Sequence, residues 1–179
     1  MGAFTYYSTE SPPPIQKIGF CELDNNPRLT NLYASTNLHY SNGIIETCRQ
    51  FGLNDPIDLG EQLIGFDTID SLLITQLCKE NGLDGIVVGK MRFLQVTETM
   101  MFIPINQRTD VEVFLKLYGL NGNLLCHTSY DTYKANSYHI NPKADRTTYD
   151  GVSSALSRIL YAMKKEKVHY KRTEQPMLY

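Results

Sequence analysis

Tryptophan is absent from this chain, and so are the short motifs that mark common active sites. No GxSxG and no HExxH occurs, which removes the sequence support for nucleophile-elbow hydrolases and zincin-type metalloproteases. The four cysteines, Cys21, Cys48, Cys78 and Cys126, never approach a CxxC or zinc-knuckle spacing. Each stands among apolar residues, as in Leu77-Cys78 and Leu125-Cys126, and reads as a buried thiol behaving as a small hydrophobe. One or two disulfides in an oxidising compartment are the alternative. No apolar run approaches the length of a membrane-spanning helix, and no signal peptide is visible. Nor is charge of one sign concentrated. Seventeen Lys and Arg against nineteen Asp and Glu leave a net charge of -2, without the basic face that nucleic acid demands.

What is present is an ordinary globular composition over 179 residues, enough for one domain with a sizeable core. Tyrosine is abundant, with twelve copies. Tyr suits sheet faces and interaction surfaces because one end of its ring is apolar and the other wet. Residues 1–14 are polar, Tyr-rich and end in Pro12-Pro13-Pro14, so they read as an extended tether. Such a tether follows the lipidated cysteine of a bacterial lipoprotein. We therefore expect a trimmed signal peptide and lipid anchor upstream, with Met1 supplied for expression; a native cytosolic start is the alternative. Residues 15–168 read as the domain and 169–179 as a polar tail.

Ile15 to Leu23 reads as the first strand. Ser41 or Asn42 is positioned to cap a helix with apolar Ile44, Ile45, Cys48 and Phe51, ended by Gly52. A second helix runs from a cap at Asp67 or Thr68, with Asp70 in its first turn, to the stop at Asn81-Gly82. It feeds almost directly into the buried strand Ile86-Val87-Val88, the joint of a layered α/β domain. Pro104 makes residues 97–105 an edge or irregular strand, and Asn106-Gln107-Arg108 reads as a turn. Asp110 to Tyr118 alternates strictly, with Val111, Val113, Leu115 and Leu117 on one face. Leu120-Asn121-Gly122 closes a hairpin back to Leu124–Tyr133. Residues 138–147 read as polar loop. The last helix starts near Thr148 and carries the apolar stripe Val152, Ala155, Leu156, Ile159, Leu160 and Met163. The fold class is α/β: two layers, a mixed four- to five-stranded sheet with two or three helices packed on one face.

This order of elements resembles a group of small bacterial envelope lipoproteins. Leu83-Asp84-Gly85-Ile86-Val87-Val88-Gly89-Lys90 is similar to their "gly-ala-Asp-tyr-val-val-Gly" strand. Val111 to Leu125 is similar to their strand and glycine turn, and the helix over Val152–Lys167 to their closing helix. The families are the activator lipoproteins of penicillin-binding proteins and the curli-secretion lipoprotein, with the amino-terminal domain of the Tol-system propeller protein a looser relative. The resemblance covers roughly residues 67–167. It departs at the turn, where Gly119 and Leu120 stand in place of an acidic residue. It implies a non-enzymatic, periplasm-facing domain held at the outer membrane by an N-terminal lipid and binding an envelope protein.

Individual chemical candidates are few. His127 and Asp131 share a strand face but stand roughly 13 Å apart by strand rise, too far to pair; His139 would have to complete any metal cluster. Adjacent Cys126 and His127 point to opposite faces and cannot form a dyad. Asp67, Asp70 and Asp84 are explained as caps and loop residues. Gly82, Gly85 and Gly89 precede and enter a strand, whereas phosphate loops follow one. No metal or cofactor is expected. The better candidate is aromatic: Phe114, Tyr118, Tyr130 and Tyr133 clustered on one sheet face, with Tyr138 nearby, as a partner-binding surface. The alternative is that they lie beneath the helices as core. A small hydrolase or ligand-binding protein, and a structural subunit of a surface or secretion assembly, are the competing functions.

Overall fold

The alternating pattern that begins at Asp110 forms the centre of a mixed sheet. The computed structural model describes the backbone of residues 5–7, 14–24, 35–60, 64–100, 103–137 and 144–173, and the side chains of 14–24, 35–60, 64–92, 111–132 and 147–164. In chain order the elements are β1 (Thr5–Tyr7), β2 (Ile18–Phe20), α1 (Thr36–Gln50), β3 (Ile57–Asp58), α2 (Ser71–Asn81), β4 (Gly85–Met100), β5 (Ile103–Gly119), β6 (Leu124–Ser137) and α3 (Ala144–Thr173). The six strands lie in the order β1-β6-β5-β4-β2-β3. β4, β5 and β6 form an antiparallel meander; β2 joins β4 and β3 in parallel.

The α/β architecture is the one the sequence predicts, with short strands added at both edges. One of these, β1, lies in the segment read as a tether and pairs antiparallel with β6, Tyr6 opposite His127. Helices α1 and α3 pack together on one face. Chirality explains why α2 lies on the other. The crossover β2-α1-β3 steps outward, while β3-α2-β4 steps back past β2, and two right-handed crossovers of opposite direction place their helices on opposite faces.

Two cores result. Under α1 and α3 lie Ile18, Phe20, Val87, Val111, Val113, Leu115 and Leu117, with Tyr40, Ile44 and Cys48 from α1. The whole predicted stripe of α3, from Val152 to Met163, joins them. Fully burying each large aliphatic chain here contributes about 1.5–3 kcal/mol. Phe20 meets Tyr40 edge-on at 6.1 Å between centroids. On the opposite face a smaller cluster gathers Cys21, Ile64, Phe66, Ile74, Cys78, Leu83, Ile86, Val88 and Tyr118. All four cysteines are buried thiols, none joined in a disulfide.

Several boundaries differ from expectation. α1 begins at Thr36, ahead of Ser41. Asp70 rather than Asp67 or Thr68 caps α2, accepting from the amides of Leu72 at 2.9 Å and Leu73 at 3.3 Å. Asp67 is instead engaged by Lys90. Gly82 ends the helix in the left-handed region, as the Asn81-Gly82 stop predicts. Asn106-Gln107-Arg108 is not a turn: Asn106 pairs with Glu98 and Ser137, inside a three-strand ladder. α3 starts at Ala144 and continues to Thr173, past the expected limit at 168. Asp84 is more than a loop residue. Its Oδ2 accepts from the amides of Gln16 and Lys17, each at 2.9 Å, and ties the start of β2 to the start of β4.

Candidate interaction surface

Strand alternation turns one set of side chains from β4, β5 and β6 toward α1 and α3, and the other set away from them. The second set forms a grid fixed by the ladder register. Lys116 stands between Val88 and His127, Phe114 between Lys90 and Ser129, and Glu112 between Arg92 and Asp131. α2 and Tyr118 cover the end of this face beyond Val88. The remainder lacks helical cover among the described residues. Phe114 and His127 are half-buried, and Arg92 and Asp131 exposed.

One end of the grid is raised by the loop before α2. The Phe66 amide donates to Asp24 at 2.6 Å, which folds the loop back over the sheet. The Phe66 ring then lies edge-on to Phe114, 6.2 Å between centroids, and to His127, 5.9 Å. Lys116 places its Nζ 4.1 Å from the centre of that ring and donates to the Phe66 carbonyl at 2.7 Å. A cation over an aromatic face and a charge-assisted hydrogen bond thus act on one residue. Lys90 bonds Asp67 beside it. At the other described end Arg92 reaches Glu112 at 3.5 Å and stacks 5.8 Å from the centre of Phe114, with no loop over it among the described residues.

Burial and crowding perturb the ionisable groups of the raised end. Desolvation pushes the Lys116 ammonium below its ordinary value, with Lys90 acting in the same direction against the attraction of Asp67. Desolvation, then the neighbouring Lys116 charge, pushes His127 down. The hydrogen bond from Lys90 holds the exposed Asp67 carboxyl low. His127 Nε2 is buried with no hydrogen-bond partner.

The aromatic residues singled out from sequence do not share a face. Phe114 is on the grid, and Tyr118 is buried in the smaller core, where desolvation raises its phenol to about 12. Tyr130 lies on the opposite face, opposite Val113 and packed against the larger core, with Arg158 over its ring at 4.6 Å. The cause is a register shift at Leu117/Tyr118. Tyr118 pairs with Leu124 but Leu117 with Cys126, so Leu125 is an extra residue and everything after it changes face. Tyr133 pairs with Asp110 in the ladder, its side chain lying outside the described residues, as do Tyr138 and His139. Cys126 and His127 point to opposite faces as expected, the thiol into the larger core and the imidazole onto Phe66. Lys116, Lys90 and Phe66 were missed. The lysine standing between Phe114 and Tyr118 on the second face of β5 was the available signal; the loop that returns to it was not visible.

A cavity of about 230 Å³ lies elsewhere, between the end of α1 and α3, lined by Ile15, Phe51, Leu53, Leu160, Met163 and Lys164 among others. Lys164 caps α1 there by donating to the Phe51 carbonyl at 3.1 Å. The perturbed lysine and histidine are on the sheet face, not in this cavity. Among the described residues no group of three His, Cys, Asp or Glu is placed to hold a metal ion. No described helix is long and apolar enough to cross a membrane.

A mixed sheet with a helix pair on one face defines the class: a layered α/β domain. No protein-family model and no curated protein matches the chain. Solved structures do. A PelC variant dodecamer from Paraburkholderia phytofirmans superposes with a TM-score of 0.56 at 11% identity, over 89% of this chain and 98% of that one. A second PelC dodecamer structure from the same organism gives 0.53 at 10% identity, over 88% and 97%. Bacterial lipoproteins are also structural neighbours, among them GNA1162 from Neisseria meningitidis, with a TM-score of 0.40 at 9% identity over 86% of this chain and 98% of that one. At such identities it is the fold that is shared.

Proposed function

We propose that this chain is a non-enzymatic accessory domain of the bacterial cell envelope, periplasm-facing and tethered by an N-terminal lipid, which binds a protein partner through the open face of β4, β5 and β6. The observation that carries the reading is Phe114, a half-buried aromatic at the centre of a charged face without helical cover. Buried aromatic anchors ringed by polar groups are the usual energetic centres of protein interfaces. The penicillin-binding-protein activator and curli-secretion families indicate the kind of partner: a protein of envelope assembly or cell-wall regulation. The test is a photo-crosslinking residue placed at position 114 in the native host. A discrete protein adduct is expected there and not from the exposed control position 161; equal labelling at both sites would remove the assignment.

A second reading, a structural subunit of a surface or secretion assembly, is favoured by the dodecameric state of the PelC structures that share this fold. Light scattering on the purified chain separates a stable ring or filament from a smaller species.

A further inference from the structure

We infer that the partner of this face includes a second copy of the chain, docked sheet to sheet about Phe114. This rests on the assignment of the face as a docking surface and goes further by naming the occupant.

Charge selects the occupant. The described face and its raised loop carry Lys90, Arg92 and Lys116 against Asp67, Glu112 and Asp131, so the two signs balance. An acidic peptide or a polyanion gains little from a balanced surface. The balance is uneven along the strands. Lys116 and Lys90 with Asp67 leave the raised end net positive, and Glu112 and Asp131 with Arg92 leave the other described end net negative, with Lys116 and Glu112 four residues and roughly 13 Å apart.

A surface whose two ends are opposite in sign is complementary to itself under a twofold rotation. Two sheets facing each other about an axis across the strands keep each strand over its own copy and reverse its direction. Phe114 then meets Phe114, and Lys116 faces Glu112 of the other copy. His127, its Nε2 buried within its own chain beside Phe66, takes no part in the contact. The shape agrees. The loop carrying Phe66 and Asp67 raises one end, and the end it meets has Arg92 and Asp131 exposed. Asp67 of one copy is thereby brought toward Arg92 of the other. Lys90 meets its own copy near the axis, each partly neutralised by Asp67.

The test is molar mass by light scattering on the full chain at low salt, across a concentration series. The wild type is expected to approach twice its 20.4 kDa. Glu112→Lys and Lys116→Glu, each alone, place like charges opposite one another and are expected to be monomers. Mixed, they restore both ion pairs and are expected to associate. Phe114→Asp is expected to be a monomer, and circular dichroism checks the fold of every variant, since Lys116 also holds the Phe66 carbonyl. If Lys116→Glu fails to fold, Glu112→Lys and Phe114→Asp decide alone. A wild-type mass of one chain, or a mass that neither of these variants moves, overturns the inference. Should a monomer still give a crosslinked adduct with a different protein from position 114, the docking surface stands and only its self-recognition fails.

Discussion

Gly89 in β4 lies against the ring of Tyr40 in α1: a Cβ built on Gly89 would stand 2.8 Å from both Cε2 and the hydroxyl oxygen of Tyr40. The tyrosine is fully buried and wedged against Phe20, so it has little freedom to move aside. Gly89→Ala is expected to destabilise the fold by about 1–3 kcal/mol, the usual cost of overpacking. Chemical denaturation of the variant measures it. An unchanged midpoint would mean that α1 does not rest on β4 in this way.

Tyr40 itself supplies a prediction of opposite sign. Its hydroxyl is buried with no hydrogen-bond partner, and burial pushes its ionisation far above the ordinary value. An unsatisfied buried polar group costs about 1–3 kcal/mol. Tyr40→Phe is therefore expected to leave stability unchanged or to raise it, as read by thermal melting.

The hairpin turn after β5 rests on α2. Gly122 has φ of 73°, in the region that favours glycine, and a Cβ there would overlap the Ser71 carbonyl oxygen. Gly122→Ala combines backbone strain with a backbone clash that no rotamer relieves. It is expected to cost more than Gly89→Ala, in the same denaturation experiment.

His127 makes stability depend on pH. Desolvation and Lys116 depress its proton affinity in the folded chain below the ordinary 6.5. The groups around it are Lys116 on β5 and the Phe66 ring, with Lys90 on β4 nearby. Below the ordinary value the unfolded chain binds the proton more readily, so acidification favours unfolding. Melting temperature is expected to fall from neutral pH through pH 6 and below, and His127→Gln to flatten that segment. A parallel decline in the variant would assign the effect to other groups.

The thiols are expected to be inert. Burial raises Cys48 to about 12 and Cys78 to about 11, so little of either exists as thiolate at neutral pH to attack an alkylating reagent. Cys21 and Cys126 are fully buried, out of a reagent's reach. Iodoacetamide followed by intact mass is expected to leave the native chain unmodified and to add four groups after denaturation.

How far the fold was legible tracks how local its causes are. The stripe from Val152 to Met163 and the alternation from Val111 to Leu117 are written in single segments, and both proved to be core faces. The stop at Gly82 is equally local. The cap of α2 was misplaced because Asp67 serves Lys90, a partner 23 residues away. Asn106 to Arg108 looked like a turn because nothing local marks a polar stretch as the interior of a ladder; pairing with β4 and β6 overrides the weak β propensity of those residues. The candidate face was partly legible. Phe114 was singled out from its place in the alternation, whereas Phe66 reaches it only through a loop tied to Asp24.

The extra residue at Leu125 decides which side of β6 lies inside. Were the same chain to pair without it being set aside, Leu125 would stand opposite Leu117 and every later residue would turn over: Tyr130 would leave the helices for the open face, and His127 and Asp131 would be driven beneath them. Loss of Leu125 itself has no such effect, because Cys126 still meets Leu117. A relative one residue shorter at this point would therefore keep both surfaces of β6, so a gap of one position is tolerated here and nowhere else along the strand.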